Sequence, residues 1–217
     1  MSRRSGVYQH LGTALLGIAV GLVLVVVSQY LARNYGERPD AGPRGAEAPY
    51  SREAFGRAWA DVDRDGCDQR NQILARDLEQ VVLASDGCVV LRGVLVDPYT
   101  GQREAFVRGT TTSRLVQIDH IYSLRDAWDD GLAGAGKEQV RLQFANDPRN
   151  LVASLDNVNA AKGSLTPVEW SDNAVDRCPY QASYQQVASA YGLDVDSEVE
   201  GFLAAESRRC SRLLTER

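Results

Sequence analysis

The period of the apolar positions changes several times along the chain, and the changes outline an α+β domain behind a long apolar segment. No charged residue lies between Ser5 and Ala32, and residues 11–27 are almost wholly apolar, about the length that crosses a bilayer. Residues 33–50 scatter Gly36, Pro39, Gly42, Pro43 and Gly45 among charges and alanines, which is linker composition. Beyond them, Ser51 is placed to cap a helix running to about Val62, with Phe55, Ala58 and Trp59 on one face. A second helix is expected over 71–83, where Ile73, Leu74, Leu78, Val81 and Val82 fall at helical intervals.

The pattern then shortens. Residues 88–96 and 104–107 read as strands of a hairpin around the turn Asp97-Pro98-Tyr99-Thr100-Gly101. Residues 115–121 alternate like a half-buried strand, with a short partner expected around 150–154. Between them, 126–144 reads as helical or irregular, broken by Gly131, Gly134 and Gly136. Asp156 or Asn157 can cap a short helix carrying Asn159 and Lys162, which lie three apart and so share a face. Two C-terminal helices follow, over about 180–191 and 197–213, the second opening with the capping box Ser197-Glu198-Val199-Glu200.

Length and charge narrow this outline. The chain has 217 residues; without the N-terminal segment it has room for one domain of roughly 165 residues with a proper core, so a second catalytic domain is not expected. The net charge of −5 counts against tight non-specific binding to nucleic acid, although a local arginine patch can exist inside an acidic protein. Residues 11–32 read as a signal anchor or a signal peptide. Arginines flank the span on both sides, so the positive-inside rule does not orient it. Cys67, Cys88, Cys178 and Cys210 all follow the span, none in metal-binding Cys-x-x-Cys spacing, and so point to two disulfides in an oxidising compartment. Three pairings are open; Cys67–Cys88 and Cys178–Cys210 are the local ones.

Candidate chemistry centres on Asp119-His120. Apart from His10, His120 is the only histidine, and a neutral imidazole is the side chain best suited to accept a proton near neutral pH. Neighbours on a strand project from opposite faces, so one of the pair can hold a metal while the other reaches a substrate. The segment 150–164 adds Asn150, Asn157, Asn159 and Lys162, the last being one of only two lysines. Separately, Asp61-Val62-Asp63-Arg64-Asp65-Gly66 matches the start of a calcium loop. The match fails at its twelfth position, where Gln72 stands in place of a bidentate glutamate; a turn held by carboxylate-to-backbone hydrogen bonds is the expected outcome, with a weak Ca²⁺ site at Asp61, Asp63 and Asp65 as the alternative.

Asp119-His120, then Asn150, then Asn159-x-x-Lys162-Gly163, resembles the HNH nucleases, in the variant with asparagine as the last motif residue. The similarity to the C-terminal domain of GmrSD-type restriction endonucleases, in a secreted or membrane-anchored branch, extends to Phe55-Gly56, Trp59, the stretch 63–71, Asp97 to Gly101, Phe144 to Pro148 and the four cysteines. The resemblance implies a ββα-metal core within a mainly helical, disulfide-stapled domain over 51–217, behind a short tail (1–10), a transmembrane segment (11–32) and a linker (33–50). It implies metal-dependent hydrolysis of DNA outside the cytoplasm. His120 would be the general base, Asp119 and Asn159 the ligands of one Mg²⁺ or Mn²⁺, Asn150 the residue fixing the loop and imidazole, and Lys162 a group facing the phosphate. Arg70 and Arg141 are candidate contacts to nucleic acid. The chain departs from the pattern at Ser164, where an aspartate is common, and at Ser123, where many relatives have proline. These departures and the acidic balance support an alternative, a catalytically weak module that binds nucleic acid or an envelope partner.

Overall fold

The computed structural model describes residues 49–170 and 177–215. The expected tail and transmembrane segment, and all of the linker but its last two residues, lie outside them. Among the described residues no helix is long and apolar enough to cross a membrane.

The first expected helix is a single 3-10 turn, Glu53–Phe55. Gly56 ends it with φ 79°, a left-handed conformation that costs glycine little. Trp59 is also left-handed, at φ 56°, and the backbone reverses instead of continuing helically. Phe55 is buried against Trp128 and Phe144, with ring centroids 6.2 Å from each.

The second expected helix divides in two. Asp68 caps α1 (Gln69–Asp77) by accepting from the Asn71 amide at 2.8 Å. The chain then turns extended at Leu78 and forms β1 (Leu78–Leu83), antiparallel to β2 (Val90–Val96), which pairs in turn with β3 (Arg103–Val107). A register irregularity between Glu79 and Val82, with Gln80 at φ 52°, breaks the strand's alternation. That bulge is why its apolar positions mimic a helical period.

The functional part of the fold is a second, two-stranded sheet. β4 (Val116–His120) runs antiparallel to β5 (Leu151–Leu155), with His120 opposite Leu151 and Asp119 opposite Val152. The helices α2 (Leu124–Ala127) and α3 (Glu138–Ala145), with a π-helical turn at Trp128–Leu132 between them, fill the connection. β5 leads directly into α4 (Asp156–Lys162), completing a ββα unit. No side chain caps α4; Leu155 occupies the position and Asp156 is the first helical residue. Three helices close the domain: α5 (Pro167–Trp170), α6 (Arg177–Tyr191) and α7 (Ser197–Thr215). At the start of α7 it is Asp196, not Ser197, whose carboxylate accepts from the Glu198 amide at 2.8 Å. Both local disulfides are formed, Cys67–Cys88 closing 21 residues of sequence and Cys178–Cys210 closing 32.

The outer edge of β5 would be an open row of backbone donors and acceptors, and side chains close it. Arg76 donates to the Leu151 carbonyl at 2.6 Å, the Ala153 amide donates to Asp77 at 2.8 Å, and the Leu155 amide donates to Asp97 at 2.8 Å. Asp97 is 1% exposed. Its other oxygen accepts from the Tyr99 and Thr100 amides and the Thr100 hydroxyl, while Ser154 shares the oxygen used by Leu155. This one carboxylate fixes the β2–β3 turn and docks it on β5. Asp97→Ala is expected to destabilise the domain by about 3 kcal/mol or more, because several buried donors lose a charged acceptor; urea unfolding monitored by fluorescence measures it.

Candidate active site

Asp119 and His120 end β4, and α4 crosses beside them. A cavity of about 210 Å³ at this junction is lined by Asp119, His120 and Asn159, together with Tyr50, Arg52, Ser123, Arg125 and Ser164. Two segments separated by about forty residues of sequence thus meet at one polar cavity.

The imidazole is held on two sides. Its Nε2 lies 2.9 Å from the Ala145 carbonyl, which can only accept, so the proton resides on Nε2 and Nδ1 is left as the ring's basic nitrogen. The Trp59 indole stacks on the ring at 6.3 Å between centroids and 14° between planes. Asn146 fixes that indole's loop, accepting from the Ala60 amide at 2.9 Å and donating to the Leu142 carbonyl at 2.9 Å. The segment Phe144-Ala145-Asn146 therefore supplies the carbonyl under the imidazole and the clamp for the ring above it. Burial lowers the His120 pKa to about 4; the Ala145 carbonyl works in the opposite direction, and the charges of Arg52 and Lys162 lower it further.

Asp119 is buried and doubly held. Tyr99 donates its hydroxyl to Oδ2 at 2.6 Å, and the Lys162 ammonium lies 3.2 Å from Oδ1 and 3.1 Å from Oδ2. Burial pushes the Asp119 carboxyl up, opposed by Lys162 and the Tyr99 hydrogen bond. Lys162 is 0% exposed and also donates to the His120 carbonyl at 2.8 Å. Its expected position facing a phosphate is thus corrected: an ammonium so enclosed ties α4 to the end of β4.

Asn150 bonds the backbone of the loop after His120. Its side chain accepts from the Tyr122 amide at 2.8 Å and donates to the Tyr122 carbonyl at 3.1 Å, while its own carbonyl accepts from the Ile121 amide. The turn after His120 is clamped by these bonds, and the ring itself is oriented by Ala145 and Trp59 instead. Asn159 is half-buried and its side chain makes no protein hydrogen bond among the described residues.

A carboxylate has about four acceptor directions, so Asp119 retains capacity beyond Tyr99 and Lys162, and Asn159 adds an uncommitted amide oxygen on the same cavity. Hard oxygen donors beside a space that accommodates several waters fit a divalent ion that keeps part of its hydration shell.

The two arginine expectations are corrected. Arg70 donates to the Ser113 and Val116 carbonyls at 3.1 and 2.8 Å, joining α1 to the start of β4. Arg141 is 4% exposed, donates to the Ala54, Leu132 and Gly134 carbonyls, and lies 5.2 Å from the Trp128 ring centroid. Both guanidiniums are committed to backbone carbonyls, which residue type alone does not reveal. At the acidic loop, Asp61, Asp63 and Asp65 accept from the amides of residues 65 to 67, and Gln72 donates to Asp63 and Asp65 at 3.0 and 2.8 Å. The Gln72 amide therefore sits where a calcium loop has its bidentate carboxylate, and the expected self-bonded turn is present; the three carboxylates also lie within 4.8 Å of one another, the grouping that a weak cation site would need. In the sequence Tyr99 stands only as a residue of the expected turn at 97–101, and nothing in its type or spacing marks it as a partner of Asp119. Ser123, the departure from proline, caps α2 by accepting from the Asp126 amide at 2.9 Å.

An α+β domain with a ββα unit, whose acid, imidazole and amide converge at the strand end, defines the class. The chain belongs to the GmrSD restriction endonuclease C-terminal domain family, whose model matches residues 68–199. It is 34% identical over 172 residues, 77% of this chain and 79% of the relative, to an uncharacterized secreted protein of Arthroderma benhamiae. No solved structure matches it.

In the metal-free protein the His120 imidazole should titrate near pH 4 by NMR, identified as the signal missing from His120→Gln. The folded pKa lies below the ordinary value of 6.5, so protons favour the unfolded chain in this window, and this residue's contribution to stability is lost as pH falls from about 6.5 towards 4. Lys162→Met should cost about 3–5 kcal/mol by leaving the Asp119 charge buried and unpaired, with much of the loss recovered in Asp119→Asn/Lys162→Met; denaturant midpoints check both.

Proposed function

We propose that the protein is a metal-dependent endonuclease of the HNH type that hydrolyses phosphodiester bonds in DNA outside the cytoplasm. The observation that carries this reading is the cavity shared by the Asp119 carboxylate, the Asn159 amide and an imidazole whose Nε2 is committed to a backbone carbonyl. Asp119 and Asn159 would hold one Mg²⁺ or Mn²⁺, which when bound supplies positive charge against the phosphate and the leaving oxygen.

His120 accepts the proton of the attacking water at Nδ1. The Ala145 carbonyl keeps the ring in the required tautomer and stabilises the imidazolium that results, while Trp59 stops the ring rotating. A phosphodiester arriving in the cavity raises the proton affinity of an imidazole that burial has made weakly basic, since a nearby anion favours the protonated form. Asn150 holds the turn on which the ring is carried, and Lys162 holds the Asp119 carboxylate in position. Two disulfides and a relative named as secreted support an extracytoplasmic site of action. Residues 11–32 would tether the domain to the membrane, or release it if cleaved.

A second reading is favoured by the company Asp119 keeps. An ion must share this carboxylate with an ammonium and a phenol, and Ser164 lines the cavity without adding a carboxylate; both features suit a module that binds nucleic acid or an envelope partner without cutting.

Plasmid nicking by the purified protein separates the two. Nicking is expected with Mg²⁺ or Mn²⁺, abolished by EDTA, and reduced by about 10²–10⁴-fold in His120→Ala. Wild type and mutant that are equally inert with every divalent metal would leave the binding module as the function.

A further inference from the structure

We infer that Arg52 is the residue of this chain that contacts the phosphate at the site. The inference rests on the nuclease reading above and names the cation that reading lacks once Lys162 is seen to be buried. For Lys162 to reach a phosphate it would have to abandon both the Asp119 carboxylate and the His120 carbonyl.

Two other cations line the cavity, Arg52 and Arg125. Arg125 is paired with Asp129 at 2.9 Å and lies 5.5 Å from the Tyr50 ring centroid. Arg52 is exposed and forms no ion pair among the described residues; its neighbours are the neutral Tyr50 hydroxyl and, more weakly, the exposed Glu53 carboxylate, which does not line the cavity. Apart from Arg52 and Arg125, the groups facing the cavity add no net charge. Asp119 is balanced by Lys162, Arg125 by Asp129, the imidazole is uncharged, and Asn159, Ser123 and Ser164 are neutral. Among the residues that line the cavity, Arg52 is therefore the cation not held in an ion pair.

Its backbone is anchored. Ser51 accepts from the Ala54 amide at 3.3 Å, the Ala54 carbonyl accepts from Arg141 at 2.9 Å, and Phe55 is buried. The guanidinium thus projects from a turn fixed to the core, and its planar fork can meet two phosphate oxygens at once. Arg52 precedes the matched span of residues 68–199, so the family model does not contain it.

The test is the salt dependence of binding to a fluorescein-labelled 20-base-pair DNA duplex. It is measured by anisotropy in EDTA with wild type, Arg52→Ala, Arg52→Lys and His120→Ala, alongside plasmid nicking in Mn²⁺. Loss of one phosphate contact should reduce the slope of log K against log salt by about 1. Arg52→Ala is expected to show that reduction, Arg52→Lys to restore the slope, and His120→Ala to keep it. Cleavage should fall about 10²-fold in Arg52→Ala, with little recovery in Arg52→Lys, whose ammonium cannot form the two-pronged contact. An Arg52→Ala slope equal to wild type overturns the inference, as does a wild type that does not bind the duplex. Binding with an Arg52-dependent slope but no cleavage in any metal overturns the nuclease reading and leaves the phosphate contact standing.

Discussion

The ion pair between Lys162 and Asp119 is the constraint around which the site is assembled. Two charges taken out of water cost several kcal/mol each unless geometry and further hydrogen bonds compensate. Here the compensation comes from three elements at once: α4 supplies the ammonium, β4 the carboxylate and the His120 carbonyl, and the β2–β3 turn the Tyr99 hydroxyl. Each group is satisfied only while the others are in place. A displacement of α4 that would move Asn159 from the cavity would also strand a buried charge, so the position of the helix is specified more sharply than apolar packing alone would specify it.

The same logic extends outward through side chains that bond backbone. Asn150 on Tyr122, Asn146 on Ala60 and Leu142, Asp97 on Leu155, and Arg141 on three carbonyls all satisfy main-chain groups in connections that lack regular structure. A two-stranded sheet is marginal by itself. This one is rigid because its free edge is closed by Arg76, Asp77 and Asp97, and because aromatic rings pack around it: Tyr122 stacks on Tyr184 at 4.2 Å, and Tyr99 meets Tyr180 edge-on at 5.7 Å. The polar site is thus carried on elements whose free edge and connections are tied down by side chains.

How much of this was legible depends on what the signal measured. Period and turn chemistry located the hairpin of β2 and β3, both strands of the ββα unit and the C-terminal helices, because in those places one face is buried and the other is wet; the even cysteine count pointed to two disulfides and left their pairing open. Period and turn chemistry failed at residues 51–62, where φ above zero at Gly56 and Trp59 reverses a stretch of helical composition, and at 78–83, where a bulge gives a strand a helical spacing. At the site, the resemblance pointed to Asp119, His120, Asn150, Asn159 and Lys162; Asp119, His120 and Asn159 line one cavity, Lys162 is bonded behind Asp119, and Asn150 holds the turn after His120. The resemblance did not reveal which charges are used up internally. Whether Arg70, Arg141 and Lys162 face solvent or a carbonyl is decided by long-range packing, and one sequence carries no trace of that.

The internal pairing also resolves the tension between an acidic chain and a polyanionic substrate. Net charge of −5 repels at long range, but beyond about 10 Å at 0.1 M salt such repulsion is largely screened. What a phosphate meets at contact is the local balance. There a carboxylate already neutralised by Lys162 adds little repulsion, whereas the same carboxylate unpaired would face the incoming anion at full charge in a weakly screened cavity. Placing the lysine behind Asp119 and an arginine at the rim separates two tasks that one surface lysine could not perform together. One cation makes a buried acid tolerable and keeps its geometry, and the other remains available to the ligand. An overall negative surface then costs little affinity at the site while discouraging adhesion of polyanions elsewhere on the protein.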